Sequence, residues 1–472
     1  MSDVPQTRWA DLFRAGNAGV MPLLAGGVML HAVNVFLAVA LLPSAVSEIG
    51  GLTFFAWATT VFVVTSISAA ALGASLLQYS GPARAYLIAG CVFIAGSALC
   101  AVAPRMTVLL VGRAIQGFGG GLMVAMSYAL IGVMLDRPLW SRAMALISGM
   151  WGVGTLLGPG LGGMFAEYGM WRGAFWTLVA LGAVFTALSV LRMPSRSRAQ
   201  TLQPIAWTQL CLLSLAVLAL SAASVLPETW QMIAAITSGV LVTAALIAVE
   251  RRSRRKLLPD GATLPNAVLG RLYLIMMLLA ITVTSVDVFV PLFLQVLHGV
   301  SPLIAGYMAA LIAFGWMAGS VLNADEHGPL KVIAIRLAPW VSFISLMFLA
   351  WAMPQDEWRG VAGLLAISAA LFATGIGVGL IWPQLLSFVV VVAPDEQADL
   401  ASASISTVQL FATAFGASCA AIIVNLVGAP DDNALGAPEA AARWLFAICA
   451  LAPLASALPL SRSPLINTRG SQ

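Results

Sequence analysis

The feature that constrains this chain most is a succession of long apolar runs separated by short polar segments. A helix needs about 20 apolar residues to cross a bilayer. Hydrophobic residues make up 60% of the chain and charged residues only 9%, against about 25% charged in soluble domains. The pattern predicts an all-α membrane protein with fourteen transmembrane spans, at 19–46, 52–79, 84–103, 106–135, 141–168, 172–192, 205–226, 229–249, 269–297, 302–323, 331–353, 360–392, 398–427 and 441–461.

The basic residues are distributed unequally between the two sides of this predicted topology. With fourteen spans both termini lie on one side, which carries 18 of the 23 lysines and arginines, including the run RRSRRK at 251–256. The opposite side carries four. Cytoplasmic loops are enriched in lysine and arginine, so both termini are expected in the cytoplasm, in a bacterial-type inner membrane. The first apolar run is long enough to span, and no cleavable signal peptide is expected.

The spans group as six, two and six, with polar stretches between the groups. This predicts two homologous six-helix bundles and an inserted helical hairpin. The predicted parts are a cytoplasmic tail at 1–18, a first bundle at 19–192, a linker with two extra spans at 193–268, a second bundle at 269–461 and a tail at 462–472.

The fifth predicted span contains six glycines and one proline within WGVGTLLGPGLGG, residues 151–163. Lipid provides no hydrophobic drive between helices, so membrane helices associate through close contact at small residues. Gly154, Gly158 and Gly162 recur every fourth residue, and Gly163 extends their face beside Pro159. Proline removes one backbone hydrogen bond and bends a helix. The stretch is therefore predicted to be a packing seam between helices.

Several motifs resemble those of the major facilitator superfamily, in its fourteen-span drug:proton antiporter branch. GTLLGPGLGG resembles the antiporter motif of the fifth helix, and GRAIQGFGGG (112–121) resembles the motif of the fourth, with its arginine at 113 and its glutamine at 116. ALLPSAVSEIGG (40–51), WRGAFW (171–176) and VPLFLQVLHGVSPLIAG (290–306) are also similar to that branch. The resemblance covers nearly the whole chain and implies the major facilitator fold.

Two positions depart from the family pattern. The cytoplasmic motif between the second and third helices normally contains an acidic residue followed by arginine, but ASLLQYSGPAR (74–84) has Gln78 and Tyr79 there. The branch often has an aspartate nine residues before the proline found here as Pro43, and this chain has Asn34. The first departure affects the cytoplasmic latch that the family uses, and the second removes a group that can carry a proton.

Ionisable groups within spans are costly and are the first candidates for proton coupling. The resemblance implies that Arg113 is a buried cation that influences proton affinity; the alternative is a structural arginine that ties helices together. Asp287, with Pro291 and Gln295 at i+4 and i+8 on the same helical face, is expected to exchange a proton or bind a cationic substrate. The alternative is a carboxyl hydrogen-bonded to a neighbouring helix.

His31 is a third candidate for coupling, because an imidazole exchanges protons near neutral pH. It shares a face of the first helix with Asn34, although a lone histidine is often only a hydrogen-bonded core residue. The polar and aromatic side chains expected to line a substrate cavity are Asn34, Gln116, Gln295, Trp382, Gln384 and Gln409.

The sequence predicts a secondary transporter that exports lipophilic or amphipathic small molecules by alternating access, with the proton gradient as energy source. The alternative within transport is an exporter of an endogenous metabolite, lipid or siderophore with atypical coupling. A membrane-embedded enzyme would need clustered polar groups, whereas His31, His298 and His327 lie far apart in the sequence. No cofactor, metal or nucleic acid is expected; the expected partners are the small-molecule substrate, protons and membrane lipid, and the protein is expected to be a monomer.

Overall fold

The computed structural model describes residues 9–13, 19–135, 139–194, 205–323, 329–428, 434–461 and 463. These residues form sixteen α-helices and four short 3₁₀ helices. The α-helices are α1 Met21–Ile49, α2 Trp57–Ala101, α3 Met106–Met134, α4 Trp140–Glu167, α5 Trp171–Arg192, α6 Trp207–Ala222, α7 Thr229–Arg252, α8 Val268–Asp287, α9 Val290–His298, α10 Pro302–Leu322, α11 Pro329–Ala352, α12 Val361–Gly379, α13 Trp382–Val392, α14 Ala398–Gly428, α15 Pro438–Cys449 and α16 Leu451–Ser461.

Within the described ranges, twelve helical segments are long and apolar enough to cross a membrane. One of them, Leu52–Ala101, has 50 residues, more than twice the length that a crossing requires. The apolar helix α6 has only 16 residues and falls below the length of the other segments. The chain is therefore an all-helical membrane protein with twelve to thirteen apolar helices of spanning length.

The 45-residue helix α2 reverses direction at Gly81, where φ is 75° and ψ is 163°. A positive φ is readily adopted only by glycine. Both limbs of α2 pack along α3: a Cβ at Gly117 would lie 2.2 Å from the carbonyl oxygen of Phe62, and a Cβ at Gly96 would lie 2.4 Å from the nitrogen of Gln116. In a straight helix, residues 62 and 96 would be about 50 Å apart. The two limbs are therefore separate crossings, in agreement with the predicted spans at 52–79 and 84–103.

Three of the predicted spans are each divided into two helices, and each division precedes a proline. Helix α8 ends at Asp287, α12 ends at Gly379 and α15 ends at Cys449, each four residues before a proline. Proline has no amide hydrogen to donate to the carbonyl four residues earlier, and its ring crowds that carbonyl. Each of these carbonyl groups therefore lacks its helical hydrogen bond inside an apolar span. In α8 the carbonyl belongs to Asp287, which also carries a carboxylate.

The described residues divide into two compact units. The first is drawn from Met1–Leu41 and Val61–Ile205, and the second from Leu42–Thr60 and Ala206–Gln472. The six-plus-two-plus-six organisation and its domain boundaries stay predictions. Most residues of both predicted tails, most of the stretch 193–204 and His327 lie outside the described residues.

In the second unit, helix α6 is joined to α14 by polar contacts. The hydroxyl oxygens of Ser221 and Ser418 are 2.5 Å apart, and both side chains are buried. Nearby, the Asn425 amide donates to the carbonyl oxygens of Thr53, at 2.8 Å, and Ser224, at 2.7 Å. Helix α7 instead packs mainly on α6 and leaves most of its apolar side chains exposed. Helix α6 therefore contacts both α7 and α14.

Candidate functional site

The first unit contains a buried polar cluster centred on Arg113 of α3. The guanidinium donates from Nη1 to Oδ1 of Asn34 at 3.0 Å and to Oε1 of Gln116 at 2.9 Å. Arg113 is only 3% exposed, and both amides are fully buried. Its Cζ also lies 4.2 Å from the ring centroid of Phe62, within the range of cation–π attraction. The structure therefore brings together three residues that the sequence singled out.

A hydrogen-bond chain continues from this cluster into the second limb of α2. Gln116 donates from Nε2 to Oγ of Ser97 at 2.8 Å, and Ser97 donates to the carbonyl oxygen of Phe93 at 2.8 Å. The thiol of Cys100 lies 3.7 Å from Oε1 of Gln116. Because both polar atoms of the Gln116 side chain have partners, this amide has a fixed orientation, and the cluster holds α1, α2 and α3 in register.

His31 lies on α1 one turn before Asn34 and is packed between aromatic rings. Its ring stacks on Phe62 with centroids 5.1 Å apart and meets the edge of Trp151 at 5.7 Å. The side chain is 5% exposed, and Nδ1 has no hydrogen-bond partner among the described residues. A Cβ at Gly120 would lie 2.4 Å from Nδ1, so only glycine leaves room for this imidazole. His31 thus adjoins the Arg113 cluster through Phe62.

The glycines of the antiporter-like motif bring α4 against α1. A Cβ at Gly154 would lie 2.5 Å from Cβ of Ala32, at Gly158 2.5 Å from Cβ of Phe36, and at Gly162 2.4 Å from the carbonyl oxygen of Leu37. No side chain fits at such distances without movement of a helix. Pro159 and Gly163 are buried beside this seam, and Pro159 lies within the continuous helix α4. The seam contacts the same stretch of α1 that carries Asn34.

The second unit presents Asp287 in a different environment. Asp287 is the last residue of α8 and is half-buried, and its carboxylate makes no hydrogen bond or ion pair with any described residue. Its own carbonyl is the one that Pro291 leaves without the usual helical donor. An acidic group of this kind is expensive inside a span unless it faces water, a cation or a proton donor. Asp287 is therefore chemically available.

Helix α14 runs parallel to α8 beside Asp287. Hydrogen bonds join Tyr273 to Ala401 and Ser404, Thr284 to Thr413, and Ser285 to Gly416, at offsets of 128 to 131 positions. The same offset places the half-buried Gln409 level with Ala280, about two turns from Asp287. Gln295 of α9 is half-buried, and its Nε2 has no partner among the described residues. Gln409 thus lies on α14, and Gln295 lies on α9, two turns after Asp287 in the sequence.

Trp382 and Gln384 of α13 are placed at the second helix division. Trp382 is 7% exposed and meets Trp316 edge to face, with centroids 4.6 Å apart. Gln384 donates from Nε2 to the carbonyl oxygen of Asn323 at 2.8 Å, while Asn323 donates to the carbonyl oxygen of Leu380 at 2.6 Å. The Gln384 amide thus has a structural partner that braces the division between α12 and α13.

Sequence reasoning missed Ser97, Phe62 and Trp151 as members of the first cluster. Their residue types are common in apolar helices, and only the packing of α1, α2, α3 and α4 brings them to Arg113 and His31. Within the described ranges, no group of three or more histidine, cysteine, aspartate or glutamate side chains is arranged to hold a metal ion.

Comparison with known proteins identifies the family of this chain. Residues 24–417 match the family model of the Major Facilitator Superfamily. A protein of Mycobacterium tuberculosis named a probable multidrug-efflux transporter is 36% identical over 93% of this chain and 92% of its own length. Multidrug resistance protein 3 of Bacillus subtilis is 25% identical over 76% of this chain and 70% of its own length.

The fold is also similar to that of solved transporters. The crystal structure of a D-xylose–proton symporter matches with a TM-score of 0.63 and 14% identity over 96% of this chain and 100% of that chain. Identity this low supports the fold alone. The family model covers most of the chain, and both family and fold are those of transporters rather than of enzymes. The chain belongs to the major facilitator superfamily.

Proposed function

We propose that this protein is a proton-coupled antiporter that exports lipophilic or amphipathic small molecules by alternating access. The observation that carries the proposal is the Asp287 carboxylate, half-buried at a helix division and without a partner among the described residues. The M. tuberculosis relative is named a probable multidrug-efflux transporter and the B. subtilis relative a multidrug resistance protein, and both names support this substrate class. No bound cofactor takes part, and the proton gradient supplies the energy.

The topology that we propose has fourteen spans, with both termini in the cytoplasm of a bacterial inner membrane. The two limbs of α2 supply two spans, and α6, with 16 residues, supplies the fourteenth. The unequal distribution of basic residues, 18 on one side and four on the other, supports this orientation. The protein acts as a monomer.

In this mechanism Asp287 alternates between a protonated and a charged state. The neutral carboxyl is tolerated inside the span, whereas the carboxylate requires water or a cationic group. A substrate cation that binds the carboxylate displaces its proton, and a proton that arrives from the other side displaces the substrate. Gln295 of α9 and Gln409 of α14 supply hydrogen bonds to a variable substrate, and Trp382 supplies apolar contact. Gln384 supports the α13 wall through its bond to Asn323.

The Arg113 cluster provides a fixed positive charge in the other unit. Two amide oxygens and an aromatic ring hold Arg113 in place, and Asn34 stands where related exporters often have an acid. In this proposal Asp287 exchanges the transported proton, while Arg113, with Asn34 and Gln116, holds a fixed positive charge beside His31 in the first unit and influences proton affinity there.

The test uses everted membrane vesicles with an imposed proton gradient and a panel of lipophilic cationic dyes. Intact protein should accumulate at least one dye, and collapse of the gradient should abolish accumulation. Asp287→Asn should reduce gradient-driven accumulation at least tenfold, because an amide cannot exchange the proton. Asp356→Asn is the matched control, since Asp356 is an exposed carboxylate that pairs with Arg359 at 2.8 Å.

Dye exchange without a gradient separates coupling from binding. This test uses a neutral lipophilic dye, which does not need the Asp287 charge for binding. Asp287→Asn should still exchange labelled for unlabelled neutral dye across the membrane, because exchange needs only alternating access. Full gradient-driven accumulation by Asp287→Asn, at expression equal to the control, would refute the assignment of coupling to this residue.

A further inference from the structure

A groove on the surface of the second unit is lined by residues of α11 and α16. It has a volume of about 790 Å³ and lies between α11 and α16. Its lining is Arg336, Trp340, Leu451, Leu454, Ala455, Ala457, Leu458, Leu460 and Ser461. Both helices contain a proline, Pro339 in α11 and Pro459 in α16. Most of the lining is apolar, and the polar groups are concentrated in Arg336 and Ser461.

The groove has the length of one lipid leaflet. Helix α16 has 11 residues, which rise about 16 Å along the helix axis, close to half of the roughly 30 Å hydrocarbon thickness. In the orientation proposed above, Ser461 marks the cytoplasmic end and Leu451 the middle of the membrane. Arg336 lies near the cytoplasmic start of α11, one turn before Trp340. The polar end of the groove therefore lies at the depth of the cytoplasmic lipid headgroups.

The apolar side chains of the groove are open to an occupant. Leu451 is 57% exposed, Leu458 is 72% exposed and Trp340 is 46% exposed. Arg336 is exposed, and its guanidinium makes no hydrogen bond or ion pair within the described part of the chain. Within the span Val332–Ala352, Arg336 lies about one turn from the cytoplasmic end, where its long side chain reaches the headgroups, and Trp340 lies near the middle, where its ring meets acyl chains. The single positive charge favours an anionic headgroup over a zwitterionic one.

We infer that this groove binds one anionic phospholipid of the cytoplasmic leaflet. The headgroup phosphate contacts Arg336 and Ser461, and one acyl chain lies along Ala455, Leu458 and Leu451 beneath Trp340. The charge disfavours the cationic compounds that the export proposal assigns to the transport pathway. The lipid site is thus separate from the substrate site, and its test does not depend on transport.

Native mass spectrometry of the purified full-length protein can test this inference. Phosphatidylglycerol and phosphatidylcholine with the same acyl chains are titrated separately, and the affinity for the first lipid bound is measured. Wild-type protein should prefer phosphatidylglycerol. Arg336→Gln should weaken phosphatidylglycerol binding about five-fold, the effect expected for one basic residue near a headgroup, and leave phosphatidylcholine binding unchanged. Ala455→Trp, which fills the groove at an exposed position, should weaken both lipids.

The matched control is Arg254→Gln, which removes an exposed arginine of the connector between α7 and α8 without altering the groove. It should bind both lipids as wild type does. Equal affinity of wild type and Arg336→Gln for phosphatidylglycerol would overturn the inference. Displacement of phosphatidylglycerol by tetraphenylphosphonium would also overturn it, because the groove would then belong to the substrate pathway.

Discussion

The two units treat their buried charges in opposite ways. In the first unit, Arg113 lies in a cluster in which amide oxygens accept its hydrogen bonds and an aromatic ring covers it. In the second, Asp287 stands at a helix end with no partner among the described residues. The Arg113 guanidinium is surrounded by neutral groups whose orientation is fixed. The Asp287 carboxyl has no such group around it in the described part of the chain and, in the proposed mechanism, contacts water, protons or substrate.

This difference separates stability from transport. Replacing Arg113 removes donors from buried acceptors, so folding and activity should suffer together. Replacing Asp287 by asparagine breaks no hydrogen bond to a described residue, so the stability should not change. Transport should be lost, because asparagine cannot exchange the proton that the proposed mechanism requires. A functional residue is often not the residue that would stabilise the fold most at its position, because activity and packing favour different side chains.

The largest expected effect is that of Arg113→Leu. It leaves Oδ1 of Asn34 and Oε1 of Gln116 without their arginine donor, at a cost of about 2 to 4 kcal/mol. Asp287→Asn should change stability by less than about 0.5 kcal/mol. Thermal unfolding in detergent, followed by tryptophan fluorescence, measures both. An unfolding midpoint for Arg113→Leu equal to that of wild type would contradict the claim that the Arg113 cluster stabilises the fold.

The next effect concerns the seam between α4 and α1. Gly154→Ala places a methyl group 2.5 Å from Cβ of Ala32, so the helices must move apart, which costs about 1 to 3 kcal/mol. Gly149→Ala, on the same helix, meets nothing within 4 Å and should stabilise α4 by up to about 1 kcal/mol. The two unfolding midpoints should therefore shift in opposite directions. Shifts of the same sign would contradict the close packing of this seam.

The smallest effect is expected outside the membrane, in the connector before α8. Lys256 and Gln397 both bond the Asp260 carboxylate, and these bonds lower the pKa of Asp260 below its ordinary value. The contact therefore adds stability above the unfolded pKa of about 4 and loses it as the pH falls through the lower folded pKa. Because the pair is exposed, its contribution should be below about 1 kcal/mol.

Unfolding midpoints of wild type and Asp260→Asn, measured between pH 7 and pH 3, check this prediction. Wild type should be slightly more stable at pH 7, and the difference should shrink toward pH 3. A difference that grows as the pH falls would mean that the carboxylate opposes folding.

Hydropathy located the helices well, because the requirement for about 20 apolar residues is strict. The divisions at Asp287 and Gly379 were not predicted, although each precedes a proline by four residues. The sequence offered that signal, but proline is also tolerated within continuous membrane helices, as at Pro43 and Pro159. Neighbouring helices decide between the two outcomes, and single-sequence patterns do not contain that information.

Contacts between site residues on different helices could not be predicted from the sequence either. Arg113 and Gln116 are three positions apart on one helix, so their contact follows from helical geometry. The contact of Arg113 with Asn34, and of Gln116 with Ser97, depends on how α1, α2 and α3 pack. The sequence marked Asn34 as a place without an acid, and only the structure shows that its amide oxygen accepts a hydrogen bond from Arg113.

Helix α6 has a consequence for the membrane itself. In the fourteen-span topology that we propose, α6 crosses the membrane with 16 residues, which span about 24 Å, some 6 Å less than the hydrocarbon layer. The Ser221–Ser418 contact fixes α6 against α14, so the helix cannot slide to share the deficit. The surrounding lipid must become thinner there, at a fraction of a kcal/mol per ångström of hydrophobic mismatch. Bilayer thickness thereby becomes a term in the energetics of this protein, and longer acyl chains strain the inserted hairpin before any other part.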